Sequence, residues 1–261
     1  MKNPLKEIVR NGGVAIGCLV HIGHPEITEM LSNVGYDFLF IDAEHGPFGI
    51  ETLQVMLQAM SGTKTVPIIR VPWNEPGLIK LALDIGAYGI VVPLVSSKQD
   101  AENFVRAMKY PPTGIRGVMP RRASRYLLDI KEYFATADKE LLVMVQIETK
   151  EGVDNISEIL SVDGVDAYSL GPTDLSAAYG HIGEMTHPKV EEAISKVLEV
   201  GKKAHKIGSV YCRNVDLVQK RIEQGFQLIV VGSDWGQLMG SAQESLKKVR
   251  GLVNDFGRKI H

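Results

Sequence analysis

Eight short runs of apolar, largely β-branched residues recur along this chain, at 14–19, 38–41, 67–71, 89–92, 142–147, 167–170, 207–211 and 228–231. Several show no polar–apolar alternation, the pattern of parallel strands covered on both faces. Longer segments of helical period lie between them, among them 25–34, 50–60, 77–85, 98–108, 152–160 and 189–206. Gly35, Gly86, Gly164 and Gly225 each stand a few residues ahead of a run, where a helix commonly stops. Eight β-then-α units in unbroken series predict a (β/α)8 TIM barrel, an α/β fold. A doubly wound sheet fits less well. The turn after the first run, His21-Ile22-Gly23-His24-Pro25, lacks the glycine fingerprint of a dinucleotide site. No linker or shift in composition divides the chain, so residues 1–261 are expected to form a single barrel domain.

Composition narrows the partners. A hydrophobic content of 44% over 261 residues is enough for one large core or two small ones. The 29 basic and 31 acidic residues nearly balance, with no basic block, so no nucleic-acid partner is expected. No apolar run reaches the ~18 residues of a membrane span. The start of the chain, Met1-Lys2-Asn3-Pro4-Leu5, lacks a signal peptide's apolar segment, so a soluble cytoplasmic protein is expected. Cys18 and Cys212 are too few for a disulfide framework and read as reduced core thiols.

In a barrel of this kind, the C-terminal strand ends and the loops after them carry the chemistry. Those positions hold Asp42-Ala43-Glu44-His45, Arg70, Gln146-Ile147-Glu148, Asp174 and Ser233-Asp234. Glu148 and Asp174 are hard oxygen ligands suited to Mg²⁺, Mn²⁺ or Co²⁺. The bland alternative makes them caps or surface charges, and Thr173-Asp174-Leu175-Ser176 could indeed open a helix. His45 is the best general base, because an imidazole titrates near neutrality, although a lone loop histidine is usually just surface. His21 and His24 are weaker candidates; His181, His187, His205 and His261 read as surface. Arg70 would bind an anion or a developing oxyanion, or else form an internal salt bridge. Lys150 is the nearest lysine to a strand end, so a Schiff-base route is disfavoured. The stretch 110–138, with Arg116, Arg121, Arg122 and Arg125, is too long for a plain connection and reads as a functional loop.

These residues together resemble the HpcH/HpaI aldolases. The resemblance rests on Phe40-Ile41-Asp42-Ala43-Glu44-His45, Pro67-Ile68-Ile69-Arg70-Val71, the stretch from Ile79 to Ala87, Tyr110-Pro111-Pro112-Thr113-Gly114-Ile115-Arg116-Gly117, Gln146-Ile147-Glu148 and Gly171-Pro172-Thr173-Asp174-Leu175-Ser176. It spans nearly the whole chain in unbroken order. It implies a class II, divalent-metal-dependent lyase that cleaves a 4-hydroxy-2-oxo acid reversibly to pyruvate and an aldehyde through a metal-stabilised pyruvate enolate. Under that resemblance Glu148 and Asp174 hold the cation, and Gln146, Asp174 and the Thr173 backbone contact the pyruvate part. His45 is the base, made more basic by Asp84. Arg70 stabilises the enolate, and Asp42 supports His45. Arg122 lies nearest the arginine that reads the aldehyde, in a loop shorter here than in relatives. The family assembles as a hexamer, a trimer of dimers with an exchanged helix. Asp84 falls at a helix end, so it would reach the site only through unusual geometry or from a neighbouring subunit. Rival readings are an acyl-CoA lyase of the citramalyl-CoA or malyl-CoA type, a phosphoenolpyruvate-using transferase, and a non-catalytic pyruvate-binding barrel.

Overall fold

All eight runs are strands. In the computed structural model, which describes residues 1–260, they are β1 (Ala15–Val20), β2 (Phe38–Asp42), β3 (Val66–Arg70), β4 (Gly89–Val92), β5 (Leu142–Ile147), β6 (Ala167–Leu170), β7 (Ile207–Cys212) and β8 (Leu228–Ser233). Each pairs in parallel with its sequence neighbours, and β8 pairs back to β1, closing a (β/α)8 barrel. Four strands, β1, β2, β7 and β8, run further than expected at their ends, two of them into polar residues. β2 reaches Asp42, which pairs with Arg70, and β8 reaches Ser233, which pairs with Leu19. Backbone pairing is indifferent to side-chain polarity, so the ladder continues past the end of the apolar run.

The expected helices at 25–34 and 98–108 form as Pro25–Val34 and Lys98–Met108. Gly35 and Gly225 terminate their helices in the left-handed region, at φ 101° and 102°. The segment 152–160 departs from expectation. It divides into Lys150–Asp154 and Ile156–Leu160, broken at Asn155, whose side chain donates to the Ser96 carbonyl at 2.8 Å. The stretch 110–138 is not one loop either, because a helix, Ile130–Glu140, takes its second part. The first part packs around Arg116, which is 2% exposed, with its guanidinium 4.6 Å from the Tyr110 ring centre and 2.8 Å from Asp84. An N-terminal helix that the apolar pattern did not signal, Pro4–Arg10, plugs the barrel's lower end. Leu5 packs into the barrel interior, and Asn3 ties to the carbonyls of Tyr88 and Glu140. Among the described residues, no helix is long and apolar enough to cross a membrane.

The two-residue period of a strand sorts every side chain to the inside or the outside of the barrel. Inside lie Ala15, Phe38, Phe40, Val66, Ile68, Val91, Leu142, Met144, Ala167, Leu228 and Val230. Outside, against the helices, lie Cys18, Leu39, Ile41, Ile69, Ile90, Val143, Val145, Tyr168, Val210 and Ile229. Both cysteines are fully buried and unpaired, as expected of core thiols. Continuing the inward count upward gives Asp42 after Phe38 and Phe40. It gives Arg70 after Val66 and Ile68, and Gln146 then Glu148 after Leu142 and Met144. Apart from Ser209, the inward rows turn polar in their top layer, at the catalytic end of such barrels.

Gly17 belongs to the same row, and a Cβ there would lie 2.5 Å from the Phe38 ring. Gly17→Ala should therefore overpack this layer and cost ~1–3 kcal/mol of stability, read as a lowered denaturation midpoint. A variant as stable as the parent would mean that Phe38 does not fill that space.

Candidate active site

A cavity of about 250 Å³ opens at the C-terminal end of the barrel. Leu19, Phe40, Tyr211 and Val230 form its apolar floor, the last layer of the inward rows. Around that floor stand His21, His45, Arg70, Gln146, Ser169, Thr173 and Asp174. A larger depression of about 1070 Å³ lies along residues 57–67 and Arg122 at the other end of the barrel, and no strand-end acid lines it. Size alone would favour that depression; the convergent polar groups favour the smaller cavity.

Arg70 and Asp42 are the fixed centre. Asp42 is wholly buried and accepts from Arg70 Nε at 2.9 Å and Nη2 at 2.6 Å. Its second basic partner is His21, whose Nε2 lies 2.9 Å away. Burial alone would raise the Asp42 carboxyl, but the hydrogen bonds from His21 and Arg70 hold it well below the usual carboxylate range. The expected internal salt bridge of Arg70 is thus real, yet it does not use the whole guanidinium. Nη1 donates to Gln146 Oε1 at 3.3 Å, and Arg70 lines the cavity. Glu44 adds a third charge, its Oε2 3.0 Å from Arg70 Nε.

Glu148 and Asp174 converge on Gly171, where an added Cβ would sit 3.0 Å from Glu148 Oε2 and 3.2 Å from Asp174 Oδ2. Any side chain at Gly171 would fill the space between them. Glu148 is 4% exposed, with Oε1 accepting the Leu94 N–H at 2.7 Å and Oε2 accepting the Gln146 amide. Burial pushes its carboxyl up to about 7 against those two hydrogen bonds, and the charges of Asp174 and Glu44 push the same way. No lysine or arginine pairs with either carboxylate among the described residues. Two converging acids, one desolvated and neither paired to a cation of the chain, form a donor set that fits a hard divalent ion. Asp174 lies in the first turn of the helix Pro172–Ala178, so the helix-start reading is also correct; it makes no cap bond there.

His45 stands at the mouth with its side chain 61% exposed, Nε2 3.8 Å from Glu44 Oε2. Asp42 reaches its backbone, accepting the Glu44 and His45 N–H groups at 3.1 and 3.3 Å, and leaves the ring free. Thr173 lines the rim. Asp84 and Arg122 are the two expected site residues that the fold does not bring here. Both lie at the opposite end, because helices of such a barrel run antiparallel to its strands and end beside the next strand's start. Asp84 closes the helix Pro76–Asp84 and pairs with Arg116. The Arg122 guanidinium donates to the carbonyls of Ile85 and Leu57 at 2.5 and 3.0 Å, satisfying two helix C-termini.

Ser169 and Tyr211 surround the site without having been singled out; His21, a weaker candidate base, and Glu44 and Asp234, named only as strand-end positions, are also there. The signal was present for some: His21 follows Leu19 by two, and Tyr211 follows Ile207 and Ser209 by the same count. Asp234 follows β8, as its strand-end position indicated, but its role is structural. Its carboxylate accepts the backbone N–H groups of His21 and Ile22, pinning the loop after β1. His261 lies outside the described residues.

A model of the HpcH/HpaI aldolase/citrate lyase family matches residues 15–240. The chain belongs to the HpcH/HpaI aldolase family. A 5-keto-4-deoxy-D-glucarate aldolase of Escherichia coli is 37% identical over 242 residues, 93% of this chain and 94% of that one. A solved family member from Burkholderia cenocepacia J2315 superposes with TM-score 0.91 at 34% identity, covering 95% of this chain and all of that one. A HpcH/HpaI aldolase from Desulfitobacterium hafniense DCB-2 follows, with TM-score 0.89 at 27% identity over 94% and 96% of the two chains. This family member is an aldolase, a carbon–carbon lyase acting on small molecules, and divalent-metal dependence is general among its relatives.

The raised carboxyl of Glu148 has a stability consequence with a definite sign. Folding lifts it from 4.5 to about 7, so between those pH values the folded metal-free chain holds a proton that the unfolded chain has released. The resulting cost is absent below pH 4.5, grows as pH rises, and reaches ~3 kcal/mol above about pH 7. Metal-free Glu148→Gln should gain on the metal-free parent across that window in urea unfolding. A stability gap independent of pH would contradict the burial argument.

Proposed function

We propose that this aldolase catalyses reversible cleavage of a 4-hydroxy-2-oxo acid to pyruvate and an aldehyde. The observation that carries the reading is the placement of Arg70, fixed by Asp42 and Gln146, at the wall of a small cavity that Asp174 also lines, with Glu148 beside Asp174 and no lysine or arginine paired with either among the described residues. Glu148 and Asp174 would hold a divalent cation, Mg²⁺, Mn²⁺ or Co²⁺. When bound, such an ion supplies Lewis acidity toward the oxygens of a 2-oxo acid. Gln146 and the Thr173 backbone would orient the pyruvate half, and the floor of Leu19, Phe40 and Val230 would exclude water from it.

In cleavage, His45 takes the proton of the C4 hydroxyl. The oxygen's electron pair then forms the aldehyde carbonyl as the C3–C4 bond breaks. The pair from that bond moves into C2–C3, and negative charge develops on the C2 oxygen, within the reach of Arg70. C3 then takes up a proton from water to give the methyl of pyruvate. Arg70 is suited to this because Asp42 and Glu44 fix its position before substrate arrives. An exposed His45 can return its proton to solvent.

The assembly proposed is a homo-oligomer, a hexamer built as a trimer of dimers with an exchanged helix. The last helix, Asp234–Ile260, supports it, exposing Leu238, Met239, Leu246, Val249, Val253 and Phe256. Asp84 and Arg122 would then serve a neighbouring copy's cavity, Asp84 raising the basicity of His45 and Arg122 reading the aldehyde. A cytoplasmic setting accords with two buried, unpaired cysteines, of which Cys18 is pushed up to about 12 by burial and is unreactive.

Coupled pyruvate release from a panel of 4-hydroxy-2-oxo acids tests the reading. The parent should turn over at least one of them, and Arg70→Ala should lower kcat by about two decades or more, ~3 kcal/mol of barrier. Loss of affinity with kcat unchanged would reduce Arg70 to a binding group. No pyruvate from any member of the panel would overturn the reaction class.

A further inference from the structure

We infer that His181, Glu184 and His187 form a second metal site, one that selects Zn²⁺ or a similar imidazole-preferring ion. The loop between the helices Pro172–Ala178 and Pro188–Lys203 is built of two successive turns. The Glu184 N–H bonds the His181 carbonyl at 2.9 Å, and the His187 N–H bonds the Glu184 carbonyl at 2.9 Å. Gly183, at φ 84°, supplies the left-handed residue of the first turn. These two turns bring the side chains of residues 181, 184 and 187 together. The consequence is visible: the two imidazoles stack with ring centres 3.4 Å apart, and ligand atoms of all three residues lie within 4.8 Å of one another.

Two imidazoles and one carboxylate are a donor set for a borderline metal, with positions left open for water. Tetrahedral Zn²⁺ at ~2.0–2.1 Å asks for nitrogens ~3.3 Å apart. The stack brings the two rings side by side, and ligation requires each imidazole to turn out of it about χ1 and χ2 until its own plane contains the ion. The set differs in kind from Glu148 and Asp174, which offer oxygen alone and suit harder ions. His187 also caps the following helix, its Nδ1 accepting the Lys189 N–H at 3.3 Å. Metal at either ring nitrogen must release that long bond, because a neutral ring bound through one nitrogen carries its proton on the other. The loop meets the cavity rim through Met185, whose Sδ lies 3.3 Å from Thr173 Oγ1. Zinc here would therefore order the rim beside the cavity without entering the carboxylate pair.

The test is zinc retention by the full chain, stripped with EDTA and dialysed against ZnCl₂ with Mg²⁺ in excess, measured by competition with a chromophoric chelator. The parent and Glu148→Gln should each retain zinc at this loop, and the Lys189 amide resonance should shift on loading. His181→Ala and His187→Asn, the latter keeping a helix-capping side chain, should bind zinc about tenfold or more weakly. Retention unchanged in both histidine variants, or lost in Glu148→Gln alone, would overturn the assignment. So would a Lys189 amide that does not move.

Discussion

The site depends on the two-residue period of the barrel strands. Phe38 and Phe40 fill the interior, so Asp42 must point inward as well. Val66 and Ile68 impose the same on Arg70, and Leu142 and Met144 on Gln146. A slip of one residue in any of these strands would exchange the charged top layer for Ile41, Ile69 or Ile147, and send the charges out among apolar helix contacts. Apolar packing below thus fixes the direction of polar groups above. The lower layers also give Arg70 and Asp42 a site with little water, where their two hydrogen bonds are strong and a missing partner would be costly.

Charge completes the arrangement. Asp42 and Glu44 are both spent on Arg70. Glu148 and Asp174 are left facing each other over Gly171, with no cation among the described residues to separate them. The protein tolerates this because Gln146 and the Leu94 N–H each hold one Glu148 oxygen in place. Orientation by neutral donors leaves the charge unbalanced and the carboxylate ready for an ion. Gln146 bridges the two halves of the site, accepting from Arg70 through its oxygen and donating to Glu148 through its nitrogen.

The architecture was legible because parallel strands buried on both faces announce themselves as unbroken apolar runs, and because glycine ends several helices. Glu148, Arg70 and Asp42 were legible as the polar residues that close those runs. What escaped depends on contacts without a local signal. Asp234 was named at its strand end, but its partners, backbone N–H groups more than 200 residues away, were not. Arg116 looked like a loop arginine, and only the packing of Tyr110 and Tyr133 around it shows a buried structural cation. Arg122 lies in an irregular stretch with Arg125, Tyr126 and Leu127 at positive φ, a path that no periodicity encodes. Its guanidinium ends on helix carbonyls at the far end of the barrel. The histidine pair at 181 and 187 reads as surface along the chain, and becomes a cluster only when two consecutive turns bring i and i+6 together.

The central claim is that Glu148, Asp174 and Arg70 act together on a 2-oxo acid. Exchange of the pyruvate methyl protons with deuterium, followed by NMR without any aldehyde, isolates that half of the chemistry. The account predicts exchange in the presence of Mg²⁺, Mn²⁺ or Co²⁺ that stops with EDTA and is lost in Glu148→Gln and Asp174→Asn. Exchange that survives complete removal of metal, or that persists in both carboxylate variants, would contradict it.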